Sequence, residues 1–194
     1  MIDLALDFLA RQVNTYLRMK LDPSSNADFI QLSNISHFGQ DEDVGIDAAS
    51  QNAFLSLVNI EEDRISKSQE NFVRKETTIV YKNPKVFLNL YALFSVNLST
   101  YSEALKRLSF IIQFFQYRFV FDTNNSPSLD SKIEKLVVEM YSLNFEQSNQ
   151  LWATLGGKYL PSVLYKVRMI GIEEDAIDAE AGFIKSIGIN ENNT

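Results

Sequence analysis

Residues 85–97 read KVFLNLYALFSVN. At a period of two, Val86, Leu88, Leu90, Ala92, Phe94 and Val96 fall on one face of an extended chain, and Phe87, Tyr91 and Leu93 join Asn89, Ser95 and Asn97 on the other. A strand with apolar side chains on both faces is buried on both. This one therefore reads as the central strand of a sheet with helices on at least one side. The rest of the chain has to supply its neighbours and its covering layers.

Downstream, residues 101–117 form a helix, with Ser99 or Thr100 as cap and Glu103 placed for a capping box. Its core face is Tyr101, Ala104, Leu105, Leu108, Ile111, Ile112 and Phe115, which leaves Phe110 and Phe114 pointing elsewhere. Upstream, residues 53–61 (AFLSLVNIE) are a second strand without a breaker, and residues 29–35 are a shorter one. Residues 2–21 are a helix with Ile2, Ala5, Leu6, Leu9, Val13, Tyr16 and Leu17 on one face. Pro23 stops it, while Leu4, Phe8 and Met19 lie on its far side. Residues 133–141 and 162–172 add two strands, with a third helix over 145–155 between them. The order α-β-β-β-α-β-α-β predicts an α+β domain: a mixed four- to five-stranded sheet flanked by helices.

One domain over residues 1–172 accounts for this pattern, with polar loops at 36–52 and 62–83 and an acidic, polar arm or tail at 173–194. Of the 194 residues, 45% are apolar and 22% charged, an ordinary soluble composition. The absence of cysteine excludes disulfides, thiolate nucleophiles and cysteine metal sites, and a single histidine excludes a multi-histidine site. A net charge of −7 argues against nucleic acid or anionic lipid as a partner. No apolar run reaches membrane-spanning length, so no membrane insertion is expected. The first residues, MIDLALDFLARQ, carry aspartates where an export signal carries positive charge, which predicts a cytoplasmic start.

Catalytic signals are scarce. His37 is the one conventional general base, and no G-x-S-x-G elbow supplies a nucleophile, so it reads as a loop histidine. The acidic cluster Asp41, Glu42, Asp43 and Asp47 lacks the spacing of a calcium loop. Segment 122–133 alternates Asp122, Asn124, Ser126, Ser128 and Asp130, but Pro127 stands where that loop demands glycine. Gly156, Gly157 and Lys158 lack the remainder of a phosphate-binding loop. Neither an enzyme, nor a cofactor, nor a metal site is expected. Residues 149–166, NQLWATLGGKYLPSVLYK, read as a junction: helix end, left-handed glycine cap, proline, strand start. Within it and just beyond, Tyr159, Tyr165, Lys166 and Arg168 are candidates for docking a protein partner.

Several stretches together resemble one family, the tail terminator or cap proteins of extracellular contractile injection systems, the phage-tail-like particles of the antifeeding-prophage type. They are MIDLALDFLARQVNTYL (1–17), SLVNIEEDR (56–64), VFLNLYALFSVNLSTYSEALKRLSFIIQFFQ (86–116) and IEKLVVEMYSLNFEQSNQLWATLGGKYLPSVLYKVRMI (133–170). The resemblance implies a tail-terminator-like fold and a structural role: a homo-hexameric ring that ends inner-tube and sheath polymerisation and ties the last sheath layer to the tube. The partners it implies are the inner-tube protein, the sheath protein and the chain itself. A ring needs heterologous patches, and the off-core residues Leu4, Phe8, Phe110 and Phe114 are the subunit-interface candidates. The loop at 62–83 and the tail at 173–194 are extended enough to add a strand to a tube or sheath subunit. The alternative is a small α+β protein-binding adaptor that forms no ring.

Overall fold

The computed structural model describes residues 1–37, 52–63, 72–74, 78–82, 87–156, 158–171 and 177–182. Residues 38–51, with the acidic cluster, and Val86, Gly157 and residues 183–194 lie outside the described residues. In chain order the elements are α1 (Ile2–Leu21), β1 (Ile30–Leu32), a 3-10 turn (Ile35–His37), β2 (Asn52–Glu62), β3 (Phe72–Arg74), β4 (Thr78–Lys82) and β5 (Phe87–Asn97). They continue as α2 (Tyr101–Tyr117), β6 (Val120–Asp122), β7 (Ile133–Met140), α3 (Phe145–Thr154), β8 (Ser162–Gly171) and β9 (Ile177–Gly182).

Strand β5 lies inside a six-stranded sheet of order β1-β2-β5-β8-β7-β6 and is buried from Asn89 to Val96. Pairing is antiparallel throughout except between β1 and β2, so the sheet is mixed, as its sequence predicts. One face packs under α1 and α2. Leu90, Ala92, Phe94 and Val96 of β5 join Ala53 and Leu55 of β2 and Tyr165, Val167 and Met169 of β8 beneath the two helices. Full burial of a side chain such as Phe94 contributes about 1.5–3 kcal/mol. On the opposite face a smaller cluster of Phe54, Tyr91, Leu93 and Leu164 sits under Ile35 and Trp152.

The sheet holds more strands than the sequence pattern suggests. β6 is added at one edge, and its three residues are too few for periodicity to show. A second sheet of order β3-β4-β9 draws its strands from the segments read as the 62–83 loop and the 173–194 tail. Its order reproduces that of β2, β5 and β8, the strands that precede or follow each of its members in the chain.

Both helices bury more than one face, and this corrects two of the expected interface residues. Phe8 is only 1% exposed and meets Phe121 edge to face at 5.4 Å. Phe114 is 5% exposed, with ring centroids of Tyr16, Phe115 and Phe121 at 5.4, 5.0 and 6.3 Å. The apolar surface that exceeds what the sheet can cover is consumed between α1, α2 and β6, and Phe8 and Phe114 are core residues. Leu4 and Phe110 are half-buried against the same cluster. Conversely, Tyr101 and Leu105, expected on the core face of α2, are exposed. Thr100 is the N-cap of α2 but makes no side-chain cap hydrogen bond, so the expected capping box is absent there. It occurs instead on α3, where Asn144 Oδ1 accepts from the Gln147 N–H at 2.8 Å and Gln147 Oε1 accepts from the Asn144 N–H at 3.0 Å.

Candidate docking surface

Helix α3 ends where its sequence says it should. Gly156 has φ of +100°, a conformation that costs an L-residue steric strain, and the chain then turns through Pro161 into β8. This path lays Trp152 on Phe54, Leu93 and Leu164 of the sheet, with Leu151, Leu155 and Leu160 packed around the cluster. Tyr159 closes edge to face on Trp152 at 5.5 Å while staying 67% exposed. Between α3 and the sheet is a cleft of about 270 Å³, with Leu93, Trp152 and Leu164 among its walls and Met140, Tyr141 and Tyr159 on its exposed side. On the far side of Tyr141 and Leu143 a second hollow of about 180 Å³ is lined by Val58, Asn59, Glu61 and Tyr91. Phe145, at the first position of α3, is 97% exposed. Exposed aromatic side chains thus gather around a cleft whose lining mixes Leu93, Trp152 and Leu164 with Ser142, Ser148 and Ser162.

Tyr141 lines both hollows, and Tyr91 lines the second. The Tyr91 ring meets Tyr141 edge to face at 5.1 Å and its hydroxyl donates to Glu61 Oε2 at 2.8 Å. Burial, then the hydrogen bond and charge of the Glu61 carboxylate, push its pKa up to about 12.

The four expected docking residues do not form one site. Tyr159 is on the cleft. Tyr165 is 2% exposed in the main core, with ring centroids of Phe94 and Phe115 at 5.7 and 4.6 Å, and this corrects its reading as a contact residue. Its hydroxyl has no hydrogen-bond partner among the described residues, and burial raises its pKa. Strand alternation puts Tyr165 on the helix-covered face and Lys166 and Arg168 on the other. Arg168 is held by an ion pair with Glu139 on β7. Lys166 is half-buried beside Tyr91 and Glu139 in the strand register.

No catalytic constellation accompanies this surface among the described residues. His37 ends the 3-10 turn with its Nδ1 buried and without a partner among the described residues. Asp122 and Asp130 have structural duties: Asp122 Oδ1 accepts from the N–H groups of Asn124 and Asn125 at 2.9 Å, and Asp130 Oδ1 from the Lys132 N–H at 2.8 Å. No group of three or more His, Asp or Glu that could hold a metal ion occurs among the described residues. No described helix is long and apolar enough to cross a membrane.

The family model for the Pvc16 N-terminal domain matches residues 6–186. The chain belongs to the Pvc16 N-terminal domain family. Two solved structures share the fold of this Pvc16 N-terminal domain. One is the sheath/tube terminator of the extracellular contractile injection system PVC in its extended state, with a TM-score of 0.55 and 14% identity over 95% of this chain and 63% of that one. The other is the tube-terminating cap of the anti-feeding prophage, with a TM-score of 0.55 and 17% identity over 92% of this chain and 60% of that one. The chain thus spans about three fifths of the length of the terminators it matches. No curated protein sequence matches it.

For this Pvc16 N-terminal domain, the exposure of Phe145 and Tyr141 escaped sequence reasoning because a helix start and a strand end look alike whether or not something lies above them. Periodicity gave no signal, because Phe145 stands seven residues before the buried Trp152 and falls near the same helical face, one residue after the Asn144 cap.

Proposed function

We propose that this protein is a tube/sheath terminator of a contractile injection system: a non-catalytic subunit that assembles as a six-fold ring on the inner tube, ends its polymerisation and fastens the last sheath layer. The observation that carries the reading is the match of 92–95% of the chain to two terminator structures, together with the family match over residues 6–186. In this reading the inner-tube protein and the sheath protein are the partners. The particle it caps is of the extracellular kind named for the matched PVC structure.

The aromatic cleft beside α3 is the contact with the neighbouring copy in the ring. Phe145, Tyr141, Met140 and Tyr159 are the apolar anchors, and with Phe8 and Phe114 committed to the core they replace those two in that role. Leu4, Phe110, Lys166 and Arg168 stay as lesser candidates at the edges of subunit or partner contacts. Strands β3, β4 and β9 form one small sheet, which supports reading 62–83 and 173–194 together as the arm that engages sheath.

Electron microscopy of particles produced without this protein tests the role. Tubes and sheaths of uncontrolled length, or no stable particles, are expected; particles of normal length with sheath attached would overturn it. Size-exclusion chromatography with light scattering separates the ring from a monomeric adaptor. Deleting residues 173–194 should leave the ring intact and uncouple it from sheath.

A further inference from the structure

A six-stranded open sheet has two edges, each a row of backbone groups that can template another strand. In β1 the carbonyl of Phe29 and the N–H of Ser33 turn inward, bonding Ala53 N–H at 3.2 Å and Leu55 O at 3.0 Å. Alternation therefore turns the backbone of Ile30 outward. It does not meet solvent. The Asn14 amide, from α1 and itself buried, donates from Nδ2 to Ile30 O at 2.9 Å. Its Oδ1 accepts from the N–H groups of Ile30 at 2.9 Å and Phe29 at 2.8 Å. Beyond Ile30 only Leu32 turns outward before β1 ends.

The other edge repeats the device with a residue from a turn. In β6, Phe119 O accepts from the Val138 N–H at 2.8 Å and Phe121 pairs with Leu136, so Val120 and Asp122 face outward. Asn125 Nδ2 donates to Val120 O at 3.3 Å and its Oδ1 accepts from the Asp122 N–H at 3.2 Å. The Asp122 carbonyl accepts from the Ser126 N–H at 2.9 Å. Three of the four outward groups of β6 are thus engaged locally. The turn is fixed by Arg118, which donates to Asn125 O at 2.7 Å and Ser126 Oγ at 2.8 Å while lying over the Phe121 ring.

We propose that Asn14 and Asn125 are edge seals. Each side-chain amide stands in for the peptide group of an absent neighbouring strand, so that the six-stranded sheet does not continue from one copy of the chain into the next. Copies then meet through side-chain surfaces, and an added strand has to find a different sheet. A carboxamide suits the task because it carries a donor and an acceptor side by side, as a peptide group does. For a protein that works in a crowded repeating assembly, an unsealed edge would compete with the intended contacts.

Asn125 is the testable seal, since its turn is exposed whereas Asn14 is buried in the core. In the full chain, Asn125→Ala should raise the exchange rate of the Asp122 amide about tenfold or more. It should also add concentration-dependent species larger than the parent in sedimentation velocity. The double variant Asn125→Ala/Val120→Pro, in which proline blocks the reopened edge at a position whose N–H points outward, should return to the parental size. Asn125→Ala with parental sedimentation at every concentration would overturn the proposal. So would larger species that persist in the double variant.

Discussion

Glu61 accepts a hydrogen bond from Tyr91 because β2 carries a bulge between Leu57 and Asn59. Up to Leu57 the register runs Leu57 to Ala92; beyond it Asn59 pairs with Tyr91 and Glu61 with Asn89. The one extra residue, Val58, turns the carboxylate to the face that holds Tyr91. Without it Glu61 would lie on the apolar helix-covered face.

Titration of these tyrosines follows. Tyr91, at about 12, and Tyr165, raised by burial, keep their protons in the folded state beyond the ordinary value of 10.0. A raised folded pKa leaves stability intact below about pH 10 and removes it as pH climbs toward 12, because the unfolded chain ionises first. Absorbance at 295 nm should show late-titrating tyrosines, one of them absent in Tyr91→Phe. Equal ionisation of all tyrosines near pH 10 in folded protein would contradict this.

Tyr165→Phe should leave the protein as stable or more so, by up to about 1 kcal/mol, because it removes a buried hydroxyl that has no partner among the described residues. Tyr165→Ala should cost about 3–5 kcal/mol, the range for aromatic truncation in a core. Urea denaturation of the two variants measures both.

Charged substitutions separate core from contact surface. Phe114→Asp should prevent folding, since it buries an unpaired carboxylate among Tyr16, Phe115 and Phe121. Phe145→Asp should shift the melting temperature little and weaken self-association at the α3 cleft. An unchanged assembly in Phe145→Asp would remove the cleft from the ring contact.

Gly156→Ala should destabilise by about 1–2 kcal/mol through backbone strain alone, because a Cβ built there comes no nearer than 3.7 Å to Ser36 O. Asn144→Ala should cost about 1 kcal/mol by removing the α3 cap. Circular dichroism melts would show both losses, and a neutral Gly156→Ala would refute the strain argument.

The sequence by itself determined the elements and their class. Period-two burial in 87–97, helical spacing in 2–21 and 101–117, and the glycine and proline around 156–161 are local properties, written in residues that lie close together in the chain. It also carried the family, which depends on the order of those elements. What it could not determine was which apolar face meets which. Phe8, Phe114 and Tyr165 look like surplus until α1, α2 and β6 close over one another, while Phe145 and Tyr101 look ordinary until the fold leaves them uncovered by any described residue. Burial is set by contacts between residues far apart in sequence, so only the tertiary structure decided it. The same holds for the amides of Asn14 and Asn125, which any polar surface would accommodate and which the folded sheet places on its two open edges.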